Sequence, residues 1–377
     1  MTMPSRRPSQ TGLGVRSLSK TCLERSALRS IAAVIGIVAF AAPTCVFAQA
    51  EQARAEVDQQ AKAGRFSGAI LVVQDGRVLF HEAWGLADRE WSVPNTPTTK
   101  FRVGSLTKQF TAVSILKLQE AGKLSIDDPV SKFYPQAPAA WSKVTIKHLL
   151  THGSGIPSYT AIAGFFDAQS HVALTPDQIV ALTRDKRLEF EPGTRFVYDN
   201  TGYILLGMVI EKVSGQAYAD YVGTQFLAPL GMSNTGYDVS GEVLPMRARG
   251  YDVRKGKAYN ADYLDMSLPY AAGSLYSTVD DLATWEEALQ SGKLIKAASL
   301  TAMFTNWGDG YGFGEFIGKT FGHTRYFHSG GINGFVSELD YYPAENLTVA
   351  VLTNQTNTSP DTIATNFATA YLKVPGR

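Results

Sequence analysis

Cysteine is nearly missing from this chain: two residues in 377, Cys22 and Cys45, both ahead of residue 48. Loss of that leading stretch would leave no thiol, which excludes a disulfide framework, a thiolate nucleophile and a cysteine-based metal site. Charge of either sign is also sparse. Charged residues make up 18% and the formal net charge is +1, with no Lys/Arg run; nucleic acid is therefore not an expected partner. Three chemical motifs are absent. Without G-x-S-x-G there is no nucleophile elbow of the α/β-hydrolase kind. Without H-E-x-x-H, and with six scattered histidines, a zinc enzyme has no support. No glycine-rich strand-to-helix loop is present to hold nucleotide phosphates. Neither a metal nor a cofactor is expected.

Long hydrophobic runs are scarce as well. The run from Ile31 to Ala42, about a dozen residues, is too short to span a bilayer comfortably. Arg6, Arg7, Arg16, Lys20, Arg25 and Arg29 precede it, and Ala48-Gln49-Ala50 or Val46-Phe47-Ala48 supplies a small-residue cut site. Residues 1–48 thus read as a signal peptide, with a periplasmic or secreted mature protein and no membrane span after its removal. Lipidation at Cys45 is less favoured because Thr44 precedes it. Removing six basic residues and Glu24 leaves 29 basic and 33 acidic residues, net −4.

What is there is core. With 45% apolar residues, residues 49–377 can bury one large domain. Gly68–Phe80, GAILVVQDGRVLF, reads as a hairpin around Asp75-Gly76, preceded by a helix ending at Gly64. Leu106–Ala121 is apolar nearly all round and predicts a central buried helix closed by Gly122. Thr175-Pro176-Asp177-Gln178 predicts a helix start with a capping box. Helices are also expected over Tyr203–Val213 and from Ser277 to Gly292. Strands are expected at Tyr311–Ile317, Thr324–His328, Phe335–Tyr342 and Leu347–Thr353, then a terminal helix. Strands at both ends predict an α+β fold: an antiparallel sheet of about five strands from 49–100 and 300–377. N- and C-terminal helices flank it, and a mostly helical part runs over about 105–295.

Three short patterns carry possible chemistry. Ser105 and Lys108 lie three apart at the start of the central helix, so Oγ and Nζ can meet, and burial would lower the lysine into the range of a base. Alone, the pair reads more readily as an N-cap and a surface lysine. Tyr198 is followed two residues on by Asn200, a phenol for proton relay and an amide for a substrate, or merely a turn with a packed tyrosine. His328 is followed by Gly330 and Gly331, where a substrate could approach backbone, or where a hairpin simply turns.

Taken in order, Ser105-x-x-Lys108, Tyr198-x-Asn200 and His328-x-Gly330 resemble the motifs of the serine β-lactamase and penicillin-binding-protein superfamily. The likeness is greatest to its class C β-lactamase-like and D-Ala-D-Ala carboxypeptidase-like branch. The stretches FRVGSLTKQF, VTIKHLLTHGSGIPSY, FEPGTRFVYDNTGY and HSGGINGFVSELDYYP extend it along the chain. The resemblance implies that Ser105 is acylated, that Lys108 and Tyr198 share base and relay duties, and that Asn200 holds a substrate amide or the Lys108 ammonium. The oxyanion would rest on the N–H groups of Ser105 and Gly331, with His328 and Gly330 on the substrate side. Two departures bear on this. Asp199 stands where a small serine is commoner, either pointing inward at Lys108 or capping locally. His328 stands where many members carry a lysine, which favours peptides, amides and esters over β-lactams. The expected activity is an acyl-enzyme hydrolase of a small molecule or peptide, D-alanyl peptides foremost. An esterase or β-lactamase, and a penicillin or peptidoglycan-fragment sensor without turnover, are the alternatives.

Overall fold

A computed structural model describes residues 41–372; the expected leader, residues 1–48, lies for the most part outside them. A six-stranded antiparallel sheet organises the chain. Its elements are β1 (Gly68–Gln74), β2 (Arg77–Trp84), β3 (Phe316–Thr320), β4 (His323–Ile332), β5 (Phe335–Tyr342) and β6 (Leu347–Thr353), in the order β3-β4-β5-β6-β1-β2. The β1–β2 turn places Asp75 and Gly76 at φ 50° and 72°, the left-handed pair that a tight hairpin requires.

Alternation along the strands decides which layer each residue joins. Ile70, Val72, Val349 and Val351 face one way, into a core with helices α1 (Ala41–Lys62) and α5 (Pro360–Tyr371). In α5, Ile363, Ala364, Phe367 and Ala368 repeat at helical spacing and supply the covering stripe. Ala69, Leu71, Ala350 and Leu352 face the opposite way, into the larger core with α2 (Thr107–Glu120) and α4 (Val279–Gln290). There Phe110 stacks on Trp285 at 3.8 Å between ring centroids. Helix α2 is buried on almost every side, as its all-round apolar pattern requires. It ends at Gly122 (φ 69°), where the Lys123 N–H bonds to the Leu118 carbonyl at 3.1 Å.

Some sequence expectations are displaced. The capping box of Thr175 and Gln178 opens a helix over Pro176–Arg184, and α3 covers Asn200–Ser214. The strand expected at Tyr311–Ile317 begins only at Phe316. A Cβ at Gly312 would come 2.0 Å from the Met303 carbonyl oxygen, so this stretch turns tightly against a neighbouring backbone before the strand starts. The middle is not purely helical, since Phe101–Arg102, Leu275–Ser277 and Gly236–Tyr237 form a small three-stranded sheet.

Candidate active site

Ser105 occupies a one-turn 3-10 helix, Gly104–Leu106, that runs directly into α2. The turn depends on Gly104, whose φ of 53° disfavours a side chain and whose Cβ would lie 2.9 Å from the Gly331 nitrogen. The end of β4 therefore presses on the turn that carries Ser105. Gly330 is required beside it for another reason: a Cβ there would meet the Val103 oxygen at 2.0 Å and Ser337 Oγ at 2.2 Å. A Cβ on Gly331 would enter open space. Strand β3 pairs with β4 only as far as Phe327, so Gly331 belongs to a stretch of β4 with no strand on that side.

One turn beyond Ser105, as the second residue of α2, Lys108 is fully buried and its Nζ donates to three oxygens. These are Ser105 Oγ at 3.0 Å, Asn200 Oδ1 at 2.9 Å and the Ala272 carbonyl at 2.9 Å. Asn200, the first residue of α3, gives its Nδ2 hydrogen to Thr160 Oγ1 at 3.1 Å, so its oxygen must face the lysine. Burial lowers the Lys108 ammonium from 10.5 to about 7, with the Asp199 charge acting weakly in the opposite direction. Neutral Lys108 has two hydrogens and one lone pair. Asn200 and Ala272 are fixed acceptors for the two hydrogens, which leaves the lone pair aimed at Ser105. This arrangement can take the serine proton.

Tyr198 lies over this centre, its ring centroid 4.8 Å from Lys108 Nζ. Its buried hydroxyl makes no regular hydrogen bond. Burial pushes the phenol up, and the nearby Ser105 hydroxyl offsets only part of that. Tyr198 is thus protonated in neutral solution and suits relay better than resting base. Asp199 does not bond to Lys108. It is the buried N-cap of α3, accepting from the N–H groups of Thr201 (2.7 Å) and Gly202 (3.0 Å) and from Ser154 Oγ (3.3 Å). Burial raises its carboxyl from 3.8 to about 7, and these donors offset only part of that rise.

The sequence reading set His328 facing the substrate. Here its ring is 2% exposed, because protein groups occupy both nitrogens. Nδ1 lies 2.6 Å from the Ser329 carbonyl and Nε2 lies 3.2 Å from the Tyr311 hydroxyl. Burial and then the Lys108 charge press its imidazolium down to about 3, so His328 is neutral. Tyr311 also meets His152 Nε2 at 3.2 Å, and His152 Nδ1 accepts from the Asp199 N–H at 3.0 Å. Neither His152 nor Tyr311 was singled out from sequence; the only signal at His152 was its place in an H-G-S-G stretch.

Ser105, Asn200 and Gly331 open onto one cavity of about 910 Å³, whose walls include Tyr159, Phe165, Leu268 and Phe335. The stretch Tyr159–Phe166 supplies one wall through Tyr159, Thr160, Phe165 and Phe166. Trp307 borders a separate cavity with Lys147 and Arg195. Among the described residues, no group of three or more His, Cys, Asp or Glu side chains could hold a metal ion.

The family model described as Beta-lactamase matches residues 49–372. The chain belongs to the beta-lactamase family. Within that serine hydrolase family it is 33% identical over 314 residues to penicillin-binding protein 4* of Bacillus subtilis, covering 77% of this chain. It spans 68% of that relative's length and 62% of a second B. subtilis relative, PbpX. Among solved structures it is similar to the octameric penicillin-binding protein homologue of Pyrococcus abyssi, with 34% identity and a TM-score of 0.75 over 86% of this chain and 76% of that one. A D-stereospecific amidohydrolase from Streptomyces shares 28% identity and a TM-score of 0.74, over 86% and 98%. Family membership accounts for the six-stranded antiparallel sheet with its flanking helices.

Proposed function

We propose that this protein is an exported hydrolase that works through an acyl-enzyme on Ser105 and acts on small amides, peptides and esters of D-amino acids. The observation that carries the reading is the buried Lys108 amine, whose two hydrogens are taken by Asn200 and Ala272 so that its lone pair faces Ser105 Oγ at 3.0 Å. Ser105 Oγ attacks the substrate carbonyl carbon as its proton passes to Lys108 Nζ. The oxyanion settles against the N–H groups of Ser105 and Gly331, each such donor being worth about 2.7–4 kcal/mol of barrier. When the tetrahedral adduct collapses, the carbonyl re-forms and the leaving nitrogen or oxygen takes that proton through Tyr198. Water then attacks the ester with the same groups as base, and Ser105 recovers its hydrogen.

Two things favour amides and neutral esters within this class. The Streptomyces relative is D-stereospecific and an amidohydrolase. The cavity lining contains Asp167, Asp252 and Asp262 but no lysine or arginine, so no permanent cation there pairs with a substrate carboxylate, whereas an amine is welcome. Carboxylate-bearing β-lactams rank below D-aminoacyl amides on that ground.

The test is one panel run on parent and Ser105→Ala: a D-alanine amide, a D-Ala-D-Ala peptide, a short nitrophenyl ester and a chromogenic cephalosporin. Turnover of the first or third by the parent, lost in the variant with the fold intact, is the expected result. Equal rates for the two proteins on every substrate would end the proposal. A lasting one-to-one adduct without product would turn the reading toward a sensor. Export through the 1–48 leader is checked separately by sequencing the N-terminus of the mature protein, which should start near residue 49.

A further inference from the structure

The hydrogen bonds around Tyr311 have only one possible direction. The Asp199 backbone N–H must donate, so His152 Nδ1 accepts it at 3.0 Å and the His152 proton sits on Nε2. That proton points to the Tyr311 oxygen at 3.2 Å. At the far end the Ser329 carbonyl must accept, so the His328 proton is on Nδ1 at 2.6 Å and Nε2 is a bare acceptor. The Tyr311 hydrogen therefore goes to His328 Nε2 at 3.2 Å. Tyr203 nearby gives its own hydrogen to the Leu150 carbonyl at 2.9 Å, so toward Tyr311 it can only accept and cannot replace the His152 donor. His152, Tyr311 and His328 are all buried, so water does not compete for these bonds.

The two ends of this chain are the two walls of the site. One end is the backbone of Asp199, between Tyr198 and Asn200, with the His152 ring 4.2 Å from the Tyr198 ring. The other end is the β4 backbone at Ser329, two residues before Gly331. We infer that His152 and Tyr311 are positioning residues: the one-way chain from Asp199 N–H through His152, Tyr311 and His328 to Ser329 O sets the spacing between the proton-handling wall and the oxyanion wall. This rests on the acyl-enzyme reading above. A displacement of about 1 Å between reacting groups can cost on the order of 100-fold in rate, so a rigid strut across the site has a direct effect on turnover. Because each nitrogen is already committed, neither histidine takes up a proton while the chain is intact.

Tyr311→Phe removes both central bonds and keeps the ring. With p-nitrophenyl acetate as probe, the acylation rate should fall tenfold or more while KM changes less than threefold. The released His328 Nε2 loses its donor, while burial and the Lys108 charge still hold the imidazole neutral, so the pH profile should keep the parental shape at a lower plateau. His328→Gln alone keeps an acceptor for Tyr311 and should retain far more activity than His328→Leu. A parental acylation rate in Tyr311→Phe, while Ser105→Ala is inactive, would overturn the positioning role and leave the acyl-enzyme intact. Activity surviving in Ser105→Ala would instead strike at the acyl-enzyme itself. If Tyr311→Phe does not fold, the His328→Gln and His328→Leu pair decides, and equal rates in those two would refute the inference.

Discussion

Asn200→Asp is the sharpest single perturbation of this site. The side chain keeps its shape and still offers an oxygen to Lys108 Nζ, 2.9 Å away, but it adds a full negative charge. At an effective dielectric constant of about 20, two unit charges at that distance attract by about 6 kcal/mol, or about four pKa units. The cavity admits water and the new carboxyl can itself protonate, so a shift of about two units is the working figure. In the parent, burial places Lys108 at about 7. The base form is the neutral amine, so acylation should rise with pH and level off above that value. In Asn200→Asp the limb should move to about 9. At pH 7 the neutral fraction falls from about one half to about one in a hundred, a loss of ~50-fold that is recovered in large part as the pH rises. The assay is single-turnover acylation by p-nitrophenyl acetate across the neutral and mildly alkaline range, with Asn200→Ala as the uncharged control. A lower plateau with the limb still near 7 in Asn200→Asp would refute Lys108 as the titrating base.

Three further outcomes follow from packing and buried charge. Gly330→Ala forces a Cβ within 2.0 Å of the Val103 oxygen and should cost about 1–3 kcal/mol in thermal melts; Gly331→Ala meets open space and should melt with the parent. Phe110→Ala removes the ring stacked on Trp285 at 3.8 Å and should cost about 3–5 kcal/mol in urea unfolding. Glu338 and Asp340 share the single guanidinium of Arg325 at 2.5 and 2.6 Å, and burial followed by repulsion from Asp340 raises Glu338 from 4.5 to about 8. The folded state then binds more protons than the unfolded chain between those values. Its stability should decline as pH rises from about 5 to 8, by at most about 1.4 kcal/mol per pH unit for this group, and a melting temperature that climbs over that range would contradict it.

The parts of this protein legible in its sequence are those that chemistry ties to short spacings. Ser105 and Lys108 meet because three residues make one helical turn, and the hairpin at Asp75-Gly76 exists because two adjacent residues must both adopt positive φ. Asp199 shows where such reading becomes partial. An aspartate ahead of Asn-Thr-Gly signals a cap, yet only the fold shows that the cap is buried and bonded to Ser154. The strand after Tyr311 was misplaced for a related reason, since the tight approach of Gly312 to Met303 is a tertiary contact with no local pattern.

The strut between the walls was illegible on stronger grounds. His152 and Tyr311 are 159 residues apart, and a side chain that accepts at one end and donates at the other leaves no spacing to recognise. What fixes them is direction, an N–H at Asp199 and a carbonyl at Ser329 that must donate and accept respectively. Direction is a property of the assembled backbone. The reacting groups could therefore be found along the chain, while the means of holding them apart could be found only across it.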